Sequence, residues 1–164
     1  NEDRLGAIGD IRFVIEESDV RTEEGVYALG TDNLADFDIT DIVDLALERE
    51  ASAIFASRIE DRERLRRMGV AKVAEDGRVE DFVEKPDDPP SNLAVPPFYV
   101  YSPEAVELLP SYLEGGNDPD APGHFIAWLV HRSRVYAQVT EKSVRDIGTP
   151  EAYEAVRKEF GDQP

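Results

Sequence analysis

The chain has 164 residues, enough for one compact domain, with 36 acidic residues against 18 basic ones and a formal net charge of -18. So large an excess of negative charge repels nucleic acid and anionic membranes, and no stretch is apolar and long enough to span a bilayer. Cysteine is absent, which excludes disulfides, thiolate catalysis and thiolate metal ligands and makes a cytoplasmic location the expectation.

High charge often accompanies disorder, but 41 % apolar residues in periodic order argue for a folded domain. Carboxylates spread along the whole chain suit a halophilic protein, because concentrated salt screens their mutual repulsion. No basic, hydrophobic leader opens the sequence, and Asn1 reads as a start that is not native.

From Asp10 to Glu17, Ile11, Val14 and Ile15 recur at helical spacing, and a polar turn follows. Val26 to Leu29 reads as a short buried strand running into Gly30-Thr31-Asp32-Asn33, a strand end that carries an acid. Thr40 is placed to cap a helix ending near Glu50, and Ser52 to Ile59 reads as the next strand. A very polar segment spans Glu60 to Arg67. Val70 to Ala74 and Val79 to Glu84 flank Glu75-Asp76-Gly77-Arg78, a hairpin signature.

Pro86 to Asn92 is an aperiodic loop, and Phe98 to Tyr101 is a strand. Pro103 opens a helix through Leu113, which Gly115-Gly116 ends. A short helix carries Phe125, Ile126, Leu129 and Val130, and Val135 to Val139 is a strand. Thr149-Pro150-Glu151 opens the last helix, with Tyr153, Val156 and Phe160 expected to face inward. His124 and His131 do not share one helix turn and read as ordinary helix residues. Strands alternate with helices throughout, so the expected class is α/β with a mostly parallel sheet and an inserted β-hairpin, in one domain.

Five segments in order carry a resemblance: Leu5-Gly6 through Gly9, Gly30-Thr31-Asp32-Asn33, Glu84-Lys85-Pro86, Ser91-Asn92-Leu93-Ala94, and Arg145-Asp146-Ile147-Gly148-Thr149-Pro150. Together they resemble the sugar-1-phosphate nucleotidyltransferases, the family typified by glucose-1-phosphate thymidylyltransferase. The resemblance implies a Rossmann-like nucleotidyltransferase fold and the transfer of a nucleotidyl group from a nucleoside triphosphate to a hexose 1-phosphate, with release of pyrophosphate. Such a reaction brings two polyanions together, which is work for a divalent cation and fixed positive groups. Magnesium accepts a few carboxylates together with waters and phosphates.

By the same resemblance, Asp32 and Asp146 are the catalytic, metal-binding acids and Mg2+ is the cofactor. Glu84 accepts from sugar hydroxyls, and Lys85, in a chain where lysine is scarce, contacts the sugar's phosphate. Taken alone, a Glu-Lys pair at a strand end is usually a solvated surface pair worth little. Gly69 resembles the glycine whose backbone touches the sugar, or is a strand-entry turn. Leu5 and Gly6 resemble the segment that packs on base and ribose. Val95 and Tyr99 correspond to the sugar pocket, Tyr99 equally to the core.

The chain departs from the family pattern in three places. Pro96-Pro97 stands where Thr-Gly or a similar pair is usual, and Val144 where an aromatic is common. No Gly-Gly-x-Gly-Thr-Arg-Leu loop, which wraps the triphosphate in the family, is found in the chain. The expectation is therefore a partial nucleotidyltransferase domain over residues 1–164, its C-terminal portion, N-terminally truncated and inactive alone. The alternative is a non-catalytic fragment or regulatory subunit, assembling as a homo-oligomer or with a partner that supplies the missing segment.

Overall fold

A computed structural model describes residues 4–142 and 144–160, with the backbone alone of Phe160. In chain order the elements are α1 (Gly6–Glu17), β1 (Val26–Leu29), β2 (Asn33–Ala35), α2 (Thr40–Arg49), β3 (Ser52–Arg58) and α3 (Arg62–Leu65). There follow β4 (Gly69–Val73), β5 (Val79–Glu84), β6 (Leu93–Val95), β7 (Phe98–Tyr101), α4 (Pro103–Glu114), α5 (Pro122–Leu129), β8 (Val135–Thr140), β9 (Val144–Asp146) and α6 (Pro150–Phe160).

The main sheet has the order β1-β7-β3-β6-β4-β5, with β8 pairing β3 on its other side. Strand β3 shows why the sheet is buried on both faces. Ile54 and Ala56 enter one core with Tyr101, Tyr112, Phe125 and Ile126, under α1, α4 and α5. Ala53 and Phe55 point the other way, to Ile42, Phe98 and Val100 under α2. An unbroken apolar run such as Ala53 to Ala56 is what two covered faces require. Strand β7 repeats the pattern, with Tyr99 and Tyr101 on the first face and Phe98 and Val100 on the second.

The α/β class stands, but the sheet is not mostly parallel: among the described residues β3 and β8 form its one parallel ladder, and every other pairing within it is antiparallel. Alternation of strand and helix along the chain suggests crossovers, whereas the β4–β5 hairpin turns the chain round and sends β6 and β7 back antiparallel along β3. Pro96 and Pro97 divide what would be one strand into β6 and β7. Neither proline has an N–H for the ladder, and Phe98 N–H instead donates to Pro96 O at 2.7 Å.

Several local expectations are revised. Thr40 does not cap α2. Its own N–H and hydroxyl donate to Asp38 Oδ1, at 2.9 and 2.7 Å. Asp61 caps α3 through the amides of Glu63 and Arg64, inside the segment expected to be merely polar. Tyr153 is 52 % exposed rather than inward, Val156 is half-buried, and the Phe160 side chain lies outside the described residues. His131 falls just past the end of α5. No described helix is long and apolar enough to cross a membrane.

Candidate active site

The two acids of the resemblance meet through a second, two-stranded sheet. Strand β2 runs antiparallel to β9, with Asn33 opposite Asp146. Ile147 N–H donates to Asp32 O at 2.7 Å, which draws the end of β9 to the turn after β1. Gly148 sits against both carboxylates: a methyl group there would lie 3.0 Å from Asp146 Oδ1 and 3.1 Å from Asp32 Oδ2. Neither carboxylate forms an ion pair among the described residues. Asp146 Oδ1 accepts from Gly148 N–H and Asp32 Oδ1 from the Asn33 amide, each at 2.7 Å. Thr149 caps α6, its hydroxyl accepting from Ala152 N–H.

Both acids open onto one cleft of about 380 Å³. Its wall includes Gly69 at the start of β4, Glu84 at the end of β5, Val95 of β6, Tyr99 of β7 and Gly123 at the start of α5. Glu84 is wedged between glycines. A methyl on Gly123 would come within 1.8 Å of Glu84 Oε2, and one on Gly69 within 3.1 Å of it and 2.4 Å of the Phe82 ring. Val95 and Tyr99 are buried, so they are part of the core as well as the pocket wall.

Leu5, Gly6 and Lys85 do not line this cleft. Gly6, at φ 73, takes a left-handed turn against Pro119 O, and Ile8 N–H donates to the same carbonyl. The entry to α1 is thereby docked to the loop before α5. Lys85 is exposed, at φ 48, with its N–H on Met68 O. Sequence reasoning missed Arg64, Arg67 and Gly123, all on the cleft wall. A larger cavity of about 880 Å³ lies elsewhere, where Arg78, Arg132 and Arg134 are offset by Asp76, Glu80 and Glu104, and it contains none of the motif residues.

Burial pushes the Glu84 carboxyl above its ordinary range, against the pull of Lys85 and His124. Burial, and then the nearby Glu84 charge, push the Tyr99 hydroxyl up as well, so it stays neutral. A carboxylate that folding makes harder to ionise costs stability at neutral pH. That cost disappears once the group is protonated in both the folded and unfolded chain. Glu84→Gln is therefore expected to melt above the parent near neutral pH, the gap closing as pH falls below about 4. Parallel melts across that range check it. A gap that widens toward acid would show that the carboxylate is stabilised in the fold.

Two carboxylates free of cations, with room beside them, fit a hard divalent cation that takes its other ligands from water and phosphate. Among the described residues no third acid or histidine joins them into a closed protein cage. That open character is what a metal shared with a substrate requires.

Comparison with known proteins adds to this geometry. A family model described as nucleotidyl transferase matches residues 2–163. A glucose-1-phosphate adenylyltransferase of Thermotoga maritima is 31 % identical over 145 residues, 85 % of this chain and 33 % of that protein. The low-salt glycan biosynthesis nucleotidyltransferase of Haloferax volcanii is 35 % identical over 136 residues, 80 % of this chain and 36 % of that protein. The chain thus spans about a third of the length of the curated relatives it matches. A solved UDP-glucose pyrophosphorylase in complex with UDP-glucose superposes with a TM-score of 0.78 at 23 % identity, covering 98 % of this chain and 64 % of that one.

Proposed function

The chain belongs to the nucleotidyl transferase family, and from that membership we propose that the native protein transfers a nucleotidyl group from a nucleoside triphosphate to a hexose 1-phosphate, releasing pyrophosphate. One observation carries the reading. Two acids from distant parts of the chain are brought to one cleft by the β2–β9 pairing, and the same cleft holds a carboxylate wedged between two glycines. In the reaction, an oxygen of the sugar phosphate attacks the α-phosphorus in line, a new P–O bond forms, and the bond to pyrophosphate breaks.

Asp32 and Asp146 are proposed to hold Mg2+. When bound, the ion neutralises phosphate charge and orients the two substrates. Glu84 accepts hydrogen bonds from sugar hydroxyls, its position fixed by Gly69 and Gly123. The bare faces of these glycines leave space for the Glu84 carboxylate itself. Val95 and Tyr99 supply a dry wall beside it. Leu5 and Gly6, outside this cleft, are left with the nucleotide side. The test is pyrophosphorolysis of a panel of nucleotide sugars by the native protein. Release of a nucleoside triphosphate from at least one member supports the reading, and no release from any would end it.

Strand β1 ends the main sheet among the described residues, beside an apolar groove of about 550 Å³ between β1 and α1. An uncovered strand edge of this kind favours pairing with a further strand, which supports a homo-oligomer or a partner segment at this place.

The charge supports a halophilic protein. Carboxylates outnumber cations two to one, so added salt screens more repulsion than attraction. The melting temperature is expected to rise from about 0.1 M to several molar salt. A flat or falling trend in a salt series would refute the adaptation.

A further inference from the structure

The turn between α5 and β8 carries Arg132 and Arg134, and the turn between β4 and β5 carries Arg78. The fold brings them together. The hairpin tip leans on β8, where Ala137 N–H donates to Gly77 O at 2.9 Å and Arg78 forms a backbone bridge to Tyr136. The other turn is tied by the N–H groups of Arg132 and Ser133, which donate to Leu129 O at 2.8 and 2.9 Å. Between these two fixed turns lies the cavity of about 880 Å³, with His131 beside the three arginines and the buried Val79 and Val130 in its wall.

Arg132 is held there as a ready donor. Its guanidinium lies 3.9 Å from the centre of the Trp128 ring and donates through Nη1 to Trp128 O at 3.0 Å. Trp128 in turn stacks on Phe125 and meets Tyr112 edge-on, both of them buried in the core. A guanidinium clamped by its face keeps its remaining N–H groups for an oxyanion. The acids on the same wall are engaged elsewhere. Glu80 pairs with Lys72 at 3.1 Å, Glu104 accepts from the Ser133 hydroxyl at 2.6 Å, and Asp76 accepts from Arg78 N–H at 3.0 Å. Three arginines face three acids here, against two acids for every base in the whole chain, so an entering anion meets less repulsion than the net charge of -18 implies.

The cavity stands apart from the cleft of Asp32 and Asp146. Strand β5 begins at the cavity with Val79 and ends at the cleft with Glu84, roughly 16 Å further along. Helix α5 starts at the cleft with Pro122 and Gly123 and runs out beside the cavity at Val130.

We propose that this cavity is a second ligand site, which takes a small phosphate-bearing anion on Arg78, Arg132 and Arg134. Forked guanidiniums approaching from two sides suit a group whose oxygens accept from several N–H donors at once. The site stands whether or not the transfer reaction is found, because none of its residues lines the cleft.

Titration calorimetry of the native protein with inorganic pyrophosphate tests it, at the lowest salt that keeps the parent folded. EDTA replaces Mg2+, so that the cleft of Asp32 and Asp146 contributes least. Arg78→Met and Arg134→Met are each expected to weaken binding about tenfold or more, the loss typical of a charge-assisted hydrogen bond. They lie on different turns, so a folding defect in one, seen in its melting curve, leaves the other as the test. Arg157→Met is the control, since Arg157 is exposed on α6 and pairs with Glu154, and it should stay within about twofold of the parent. Parent-like binding in Arg78→Met and Arg134→Met, an equal loss in Arg157→Met, or no saturable binding by the parent would overturn the site. The same titration with ADP separates the sources of the phosphate. With the same losses in the variants, tighter binding than pyrophosphate supports the site and assigns it an organic phosphate, and weaker binding supports it and assigns the inorganic anion.

Discussion

Asp146→Asn is expected to lower nucleotidyl transfer by the native protein about a hundredfold to a thousandfold, with Asp32→Asn close behind. The substitution is chosen because it leaves local geometry alone. An asparagine still offers an oxygen to Gly148 N–H at position 146, and to the Asn33 amide at position 32. What it removes is the negative charge that a divalent cation needs, and with it the stabilisation of charge on the phosphoryl oxygens during transfer. Two measurements together decide the matter. Turnover at saturating substrates should fall, and the Mg2+ concentration for half-maximal rate should rise, while the melting temperature stays near that of the parent. Full activity in either variant would remove that acid from the metal site. The double variant should be little worse than each single one, because two ligands of one ion act as a unit.

Gly123→Ala should damage substrate binding, for a different reason. Gly123 follows Pro122 at the start of α5, where alanine is in itself the better helix former. The added methyl has one serious conflict, the Glu84 carboxylate at 1.8 Å, and that carboxylate is the movable end of a side chain. Glu84 should swing away and the fold should survive. KM for the sugar phosphate is then expected to rise about tenfold or more, with a melting temperature within a few degrees of the parent. Gly69→Ala provides the contrast. Its methyl meets the Phe82 ring at 2.4 Å, and that ring is 3 % exposed in the core, so overpacking should cost about 1–3 kcal/mol of stability. An unchanged KM in Gly123→Ala would mean that Glu84 does not touch the sugar.

What could be read from the sequence was whatever local pattern determines. Strands β1 and β7 were legible with their bounds, and so was the β4–β5 hairpin, because apolar runs flanked by turn residues need nothing distant to explain them. Strands β2, β6 and β9 were not. Each has three residues, too few to display an alternation, and β2 and β9 exist as strands because each is the other's partner. Strand direction was missed because a helix between two strands suggests a crossover whether or not the chain turns back first. Of the site, Asp32, Asp146, Gly69, Glu84, Val95 and Tyr99 converge on one cleft, while Lys85 stands outside it. Arg64 and Arg67 were hidden in a segment whose polarity looked sufficient explanation. Nothing local tells an arginine that pairs with Asp88 from one that faces a cleft.

The two-stranded ribbon of β2 and β9 also bears on the order in which the molecule comes into being. Asp32 precedes Asp146 by 114 residues, so the ribbon that joins them cannot form until the whole stretch between them has left the ribosome. Nascent chains of intermediate length can complete β3 with β6 and β7 and still lack the paired acids. The same ribbon is short and has Leu34 40 % exposed, so it should be among the first parts to open when the folded molecule fluctuates. The proposed metal site is thus expected to be completed after β3, β6 and β7 have paired and to open early under stress, which would leave unfinished or damaged molecules chemically silent.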